Sequence, residues 1–197
     1  MTNGKAKGNN FERECSRMLS LWWTSGRRDD AIWRSASSGA LTTVGKGRYL
    51  AHTGDFAATD GEAALLFEHV IIEAKRGYSR YSMQDLLDVP EGSLVKNPVC
   101  EMVTKLNLSC EIQHKWGLLL WKRDRRNLLV FTLAPRSDLQ SFVPPERNPW
   151  MTVWLPTGNF LYGMPWDQFA AIVSGARIAS LLTQPVASSE SKPVTPS

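Results

Sequence analysis

Near the start of the chain Phe11, Cys15, Met18, Leu19 and Trp22 recur at helical spacing, with Glu12, Arg13, Ser16 and Arg17 off the stripe. The pattern predicts a helix beginning at Asn9 or Asn10, either of which can accept a hydrogen bond from a first-turn amide. It ends around Thr24-Ser25-Gly26, where glycine permits a left-handed cap. Ala31 to Ser35 fits a short strand. Ala36 to Thr53, rich in Ser, Gly and Thr, fits a long irregular loop, and such loops are usually functional or disordered. Gly54 to Ala58 predicts another short strand, and Thr59-Asp60-Gly61-Glu62 carries an Asp-Gly hairpin signal. Residues 66–75, LFEHVIIEAK, give the strongest strand pattern, with β-branched residues at the centre.

Ser82 to His114 is mostly helical in pattern, broken at Pro90-Glu91-Gly92 and at Asn97-Pro98. Trp116–Lys122 and Asn127–Leu133 predict a hairpin turning through Arg123-Asp124-Arg125-Arg126. Met151–Leu155 fits a strand and Trp166–Leu182 a terminal helix. Residues 1–8 are small, polar and basic, as in a flexible lead, and the Ser/Pro/Val stretch 184–197 lacks any core-forming pattern, as in a disordered tail. One α/β domain over residues 9–183, built around a central sheet, accounts for this order of elements.

Composition narrows the class. At 197 residues and 43% hydrophobic, the chain can bury a real core, which excludes a wholly disordered protein. No apolar run reaches the roughly 18 residues of a membrane span, and the start lacks a signal-type apolar stretch, so a cytoplasmic setting without membrane partners is expected. Cys15, Cys100 and Cys110 make no disulfide framework. With His114 they also lack the paired spacing of a zinc site, so buried thiols and a helix-end histidine are expected. Net charge is +4, but it divides unevenly: +5 over residues 1–48, −5 over 49–114 and +4 over 115–197. An acidic centre between basic ends suits either a metal site flanked by polyanion-binding surfaces or ordinary solvated surface.

Glu73-Ala74-Lys75 closes the strongest strand. Side chains alternate along a strand, so Val70, Ile72 and Ala74 face a core while Ile71, Glu73 and Lys75 face the other way. A carboxylate and an ammonium then stand side by side. Mg²⁺ wants carboxylate oxygens, and a lysine beside it can stabilise negative charge developing on phosphorus. The same triplet at Glu190-Ser191-Lys192 has no such context. Asp55, eighteen residues before Glu73, is placed by the predicted hairpin to share a cation with it. Glu12 serves either as a first-turn acid favoured by the helix dipole or as a further acid of the same cluster. Arg34-Ser35 and Ser37-Ser38-Gly39, with Lys46 and Arg48 beyond them, suit phosphate contacts or a flexible loop. Arg76, Tyr78, Arg80 and Tyr81 interleave cations with aromatics, and Lys122, Arg123, Arg125 and Arg126 form the densest basic cluster.

Gly8-x-x-Phe11-Glu12-Arg13-Glu14, Trp33-Arg34-Ser35 with Ser38-Gly39, Gly54-Asp55 and Ile72-Glu73-Ala74-Lys75 together resemble the PD-(D/E)XK nuclease superfamily. Within it the chain is similar to archaeal-type Holliday junction resolvases and related phage or prophage nucleases. Arg76-Gly77-Tyr78-Ser79, Asp85-Leu86-Leu87-Asp88 and Trp121 to Arg126 resemble the phage branch. The resemblance implies a restriction-endonuclease-like core, a central mixed sheet flanked by helices, here with a C-terminal extension. It implies a Mg²⁺-dependent endodeoxyribonuclease, with Mn²⁺ able to substitute, in a bacterial or phage-infected cell. Asp55, Glu73 and the Ala74 carbonyl would bind metal, Lys75 would orient water, and Glu12 would be the helical acid. Arg13, Arg34, Ser35, Ser38, Arg48, Arg76, Tyr78, Arg123 and Arg125 would contact DNA, branched or duplex. Cleavage would leave a 5′-phosphate and a 3′-hydroxyl, and a homodimer would make paired nicks across a junction. The alternative is an inactive DNA-binding module of the same fold, acting in recombination or packaging. Gly54 stands where the superfamily's namesake proline does, and the interval from Arg34 to Asp55 is long, which bears on substrate choice.

Overall fold

The predicted apolar stripe forms α1 (Gly4–Trp23), which buries Phe11, Cys15, Leu19, Trp22 and Trp23. In this computed structural model residues 4–35, 52–82, 98–134, 151–154 and 160–182 are described. The helix starts at Gly4, ahead of Asn9 and Asn10, so residues 4–8 are its first turns rather than an irregular lead. Lys7 pairs with Asp124 at 2.6 Å, and Asn9 accepts from Arg34 at 3.1 Å instead of capping the helix. At the other end Gly26, at φ +83°, donates back to the Leu21 carbonyl at 2.7 Å, the expected left-handed cap.

Strands β1 (Ile32–Arg34), β2 (His52–Thr53) and β3 (Phe56–Ala58) form a small antiparallel sheet in the order β1-β3-β2. Helix α2 (Gly61–His69) follows and runs into β4 (Val70–Arg76). This corrects the hairpin expected through Asp60-Gly61. Asp60 is the N-cap of α2, accepting from the Ala63 amide at 3.0 Å. Asp-Gly suits a turn or a helix start equally, and the burial of Ala63, Leu66 and Phe67 at helical spacing decides between them. The strand pattern beginning at Leu66 is therefore realised only from Val70 onward.

Helix α3 (Pro98–Gln113) precedes β5 (Trp116–Lys122), β6 (Leu128–Ala134), β7 (Met151–Trp154) and β8 (Phe160–Pro165). With β4 these strands make a five-stranded mixed sheet ordered β4-β5-β6-β8-β7. Only the β4–β5 pairing is parallel, and β5 and β6 form the predicted hairpin. Strand β8 has no clear sequence signal, because Gly163 and Pro165 interrupt it. The terminal helical segment is two helices, α4 (Trp166–Ile172) and α5 (Gly175–Leu182). The Val173 carbonyl between them accepts from the Trp22 indole at 2.6 Å.

Helix α3 covers one face of the large sheet, packing Val99, Val103 and Leu106 with Ile71, Leu119 and Phe131. On the opposite face Phe11, Leu19, Leu66 and Phe67 pack with Ile72, Leu118 and Leu120, joined by Trp166, Phe169 and Ile178. The fold is α/β, a mixed sheet flanked by helices, consistent with a restriction-endonuclease-like core. All three cysteines are buried and none is in a disulfide.

Candidate active site

Strand β4 alternates as its sequence predicts. Val70, Ile72 and Ala74 lie in the core under α1 and α2, Ile71 is buried beneath α3, and Glu73 and Lys75 follow Ile71 on that second face. Among the described residues β4 is the last strand of the sheet, and its other edge faces β3 and Gly54-Asp55 just before it. Gly54 forms an isolated parallel bridge with Ile72, and the Asp55 amide donates to the Ile72 carbonyl at 3.0 Å. Gly54 sits at φ +76°, and a Cβ there would stand 2.4 Å from that carbonyl oxygen. Only glycine allows both the conformation and the approach. From the β1 end, the Ser35 hydroxyl donates to the Gly54 carbonyl and the Ser35 amide to the Asp55 carbonyl, each at 2.9 Å.

Asp55 is thereby held against the end of β4. Its Oδ2 accepts from the Ala74 amide at 2.9 Å and from Lys75 Nζ at 3.0 Å. Lys75 Nζ also donates to Glu73 Oε2 at 2.5 Å. The predicted meeting of Asp55 and Glu73 occurs, through the Gly54–Ile72 bridge rather than through a hairpin. Burial pushes the Glu73 carboxyl above its usual range, and the Asp55 charge adds to this while Lys75 opposes it. Burial disfavours the Lys75 charge, but Asp55 and Glu73 outweigh it and hold the ammonium above its ordinary value.

Two half-buried carboxylates therefore share a single ammonium, and one of them ionises reluctantly. A hard divalent cation would relieve that deficit. The Ala74 carbonyl lies along the same strand edge as its amide, since a strand residue directs both groups to one side. Asp55, Glu73 and this carbonyl form an all-oxygen donor set of the kind Mg²⁺ takes while keeping several waters. Among the described residues no cluster of three or more His, Cys, Asp or Glu could hold an ion, so the set fits a water-rich site rather than a protein cage.

The remaining predicted residues divide. Glu12 lies near enough to Cys15 that its charge and that of Asp55 both help, after burial, to hold the thiol's pKa up. Glu12 also accepts from Arg34 Nε at 2.6 Å, which ties α1 to β1. Arg13 is exposed on α1. Arg76 lies over the Phe11 ring at 5.8 Å and 3.8 Å from Glu14. Tyr78 is exposed at φ +57°, just after Gly77. The Gly77 amide donates to the Lys122 carbonyl at 2.9 Å, and Arg123 lies over Trp121 while donating to the Tyr81 carbonyl at 3.1 Å. These contacts bring Arg76, Tyr78, Arg123 and the exposed Arg125 to the same end of the sheet as Lys75. Ser38 and Arg48 lie outside the described residues.

Sequence reasoning assigned no role to α3. Its Met102, Lys105, Leu106 and Ser109 line a cavity of about 420 Å³ together with Glu73, Lys75 and Tyr78. The available signal was their spacing, which puts all four on one helix face.

A mixed α/β sheet whose edge strand carries Glu-Ala-Lys, with a second acid clamped to that edge, has the form of the PD-(D/E)XK class. Residues 3–135, two thirds of the chain, match the family described as "Phage putative PDDEXK endonuclease". The chain belongs to this phage-type PD-(D/E)XK family. No curated protein and no solved structure matches it. No described helix is long and apolar enough to cross a membrane.

Proposed function

We propose that the protein is a Mg²⁺-dependent endonuclease that hydrolyses DNA phosphodiester bonds, with Mn²⁺ able to substitute. The observation that carries this reading is the convergence of Asp55 Oδ2 on the Ala74 amide and Lys75 Nζ, with Lys75 also held by Glu73. Asp55, Glu73 and the Ala74 carbonyl would hold the cation, which would supply charge neutralisation at the phosphate and a lowered pKa for water. Lys75 orients the attacking water in line with the leaving oxygen and stabilises charge building on the phosphoryl oxygens. Asp55 keeps the ammonium pointed into the site, and Glu73 limits its swing.

Arg34, positioned by Glu12, and the exposed Arg13 approach the phosphate backbone from the α1 side. Arg76, Tyr78, Arg123 and Arg125 approach it from the end of the large sheet. Ser35 acts through the backbone of Gly54 and Asp55. The resemblance to resolvases favours a homodimer making paired nicks in branched DNA. The inactive DNA-binding alternative has no need of an intact Asp55, Glu73 and Lys75.

The test is a cleavage assay in Mg²⁺ on a four-way junction, a matched duplex and a single strand, with Glu73→Ala and Lys75→Ala beside wild type. Cleavage by wild type and a loss of 10²-fold or more in both variants is expected, an order of magnitude set by the removal of one electrostatic stabiliser. Wild type that cuts none of the three, or variants that cut as well as wild type, would overturn the proposal.

A further inference from the structure

The cavity between β4 and α3 joins the Glu73–Lys75 pair to an apolar helix face. Its volume of about 420 Å³ is at the small end of the roughly 300–1,000 Å³ typical of ligand pockets. A duplex can bring its backbone to the Glu73–Lys75 rim, but a base can enter the space beyond it only by leaving the stack. The floor is apolar, from Met102 and Leu106, both buried. The rim carries Glu73 and Lys75 on one side and Lys105 on α3 on the other. Tyr78 completes the lining. It is 42% exposed and held by a left-handed turn whose carbonyl accepts from the Tyr81 amide at 2.9 Å.

Resting on the nuclease reading above, we propose that this cavity takes one nucleobase adjacent to the scissile phosphate, stacked on Tyr78 over the Met102–Leu106 floor. The preferred substrate is then DNA with an unpaired nucleotide at the cut: a bulge, a mismatch, a junction arm or a single strand. A paired base must first be unstacked, a penalty that an unpaired one escapes. Lys105 contacts the neighbouring phosphate as its pairing with Glu101 opens. That pair is exposed and spaced i, i+4, so little holds it closed.

The experiment uses the full chain and one set of oligonucleotides: a matched duplex, the same duplex with a single-nucleotide bulge, and that bulged duplex with an abasic site in place of the unpaired base. Binding is read by filter retention with EDTA, and cleavage in Mg²⁺ is mapped to the nucleotide. Wild type should bind and cut the bulged duplex at least about tenfold better than the matched one, at the phosphate beside the bulge. The abasic site and Tyr78→Ala should each remove about tenfold, the scale of one base–aromatic stack, and should not add to one another. Tyr78→Phe should retain the preference. Met102→Trp, which fills the cavity without touching the turn, should abolish it if Tyr78→Ala fails to fold.

Matched and bulged duplexes bound and cut equally would overturn the base pocket while leaving the nuclease reading intact. So would an undiminished preference in a folded Tyr78→Ala or Met102→Trp protein. A binding preference for the bulge with no cleavage of any DNA would support the pocket and overturn the nuclease.

Discussion

Returning the superfamily's proline to position 54 should damage this protein rather than improve it. Proline fixes φ near −65°, and Gly54 stands at +76°. Gly54→Ala isolates the same problem in milder form. A left-handed alanine costs roughly 1–2 kcal/mol from backbone sterics alone. Its Cβ would also meet the Ile72 oxygen at 2.4 Å, whereas ordinary contact begins at 3.4 Å, so bridge and strand must separate by about 1 Å. That displacement passes directly to Asp55, whose amide bonds the same oxygen and whose carboxylate holds Ala74 and Lys75. A shift of about 1 Å in a reacting group can cost on the order of 10²-fold in rate. Gly54→Ala should therefore lose about 2 kcal/mol of stability, a fall in Tm of roughly 4–8 °C at this chain length. In Mg²⁺ it should cut DNA about a hundredfold more slowly at a temperature where it is fully folded. Melting followed by circular dichroism, with single-turnover cleavage of the preferred DNA, reads both quantities. Wild-type cleavage by folded Gly54→Ala or Gly54→Pro would refute the claim that this close approach sets Asp55.

Asp60→Ala should cost about 1 kcal/mol at neutral pH through loss of the α2 cap, measured by urea unfolding. Burial opposes ionisation of Asp60, but the Ala63 amide and Arg28 outweigh it and hold its pKa below the ordinary 3.8. The stabilisation is thus complete above that value and lost as pH falls through the lowered one, where mutant and wild type should converge. Gly175→Ala should destabilise by about 1–3 kcal/mol, because a Cβ there meets the Trp23 backbone at 2.6 Å; an unchanged urea midpoint would contradict that packing. Arg125→Ala should lower the slope of log K against log salt by about 1 without changing stability. Arg123→Ala, which also loses the stack on Trp121, should lower the melting temperature as well, by the equivalent of about 1 kcal/mol.

Periodicity made much of this legible. The stripe of α1, the two faces of β4 and the β5–β6 hairpin all follow from spacing, because each element buries one face and exposes or charges another. The route from Asp55 to Glu73 did not follow. Asp-Gly chemistry is shared by hairpin turns and helix starts, and the helical burial that separates them depends on what Leu66 and Phe67 pack against. Glu12 shows a similar limit: its helix position is local information, but its capture by Arg34 depends on where β1 passes. The α3 wall of the cavity is a tertiary fact too, arising from helix-on-sheet packing that no short motif encodes.

The indole of Trp22 bonded to Val173 has a consequence for how the chain can be divided. The family match ends at residue 135, yet Met164, Trp166, Phe169, Val173 and Ile178 belong to the same core as α1. Strand β8 also occupies the outer edge of β6 over six residue pairs. A fragment stopped at the family boundary would strip that edge and open the floor beneath Trp22. Such an uncovered strand is a template for pairing with another chain. The stretch that defines the family is thus shorter than the stretch that packs as one core, and a minimal folded fragment of this protein must keep its last helices.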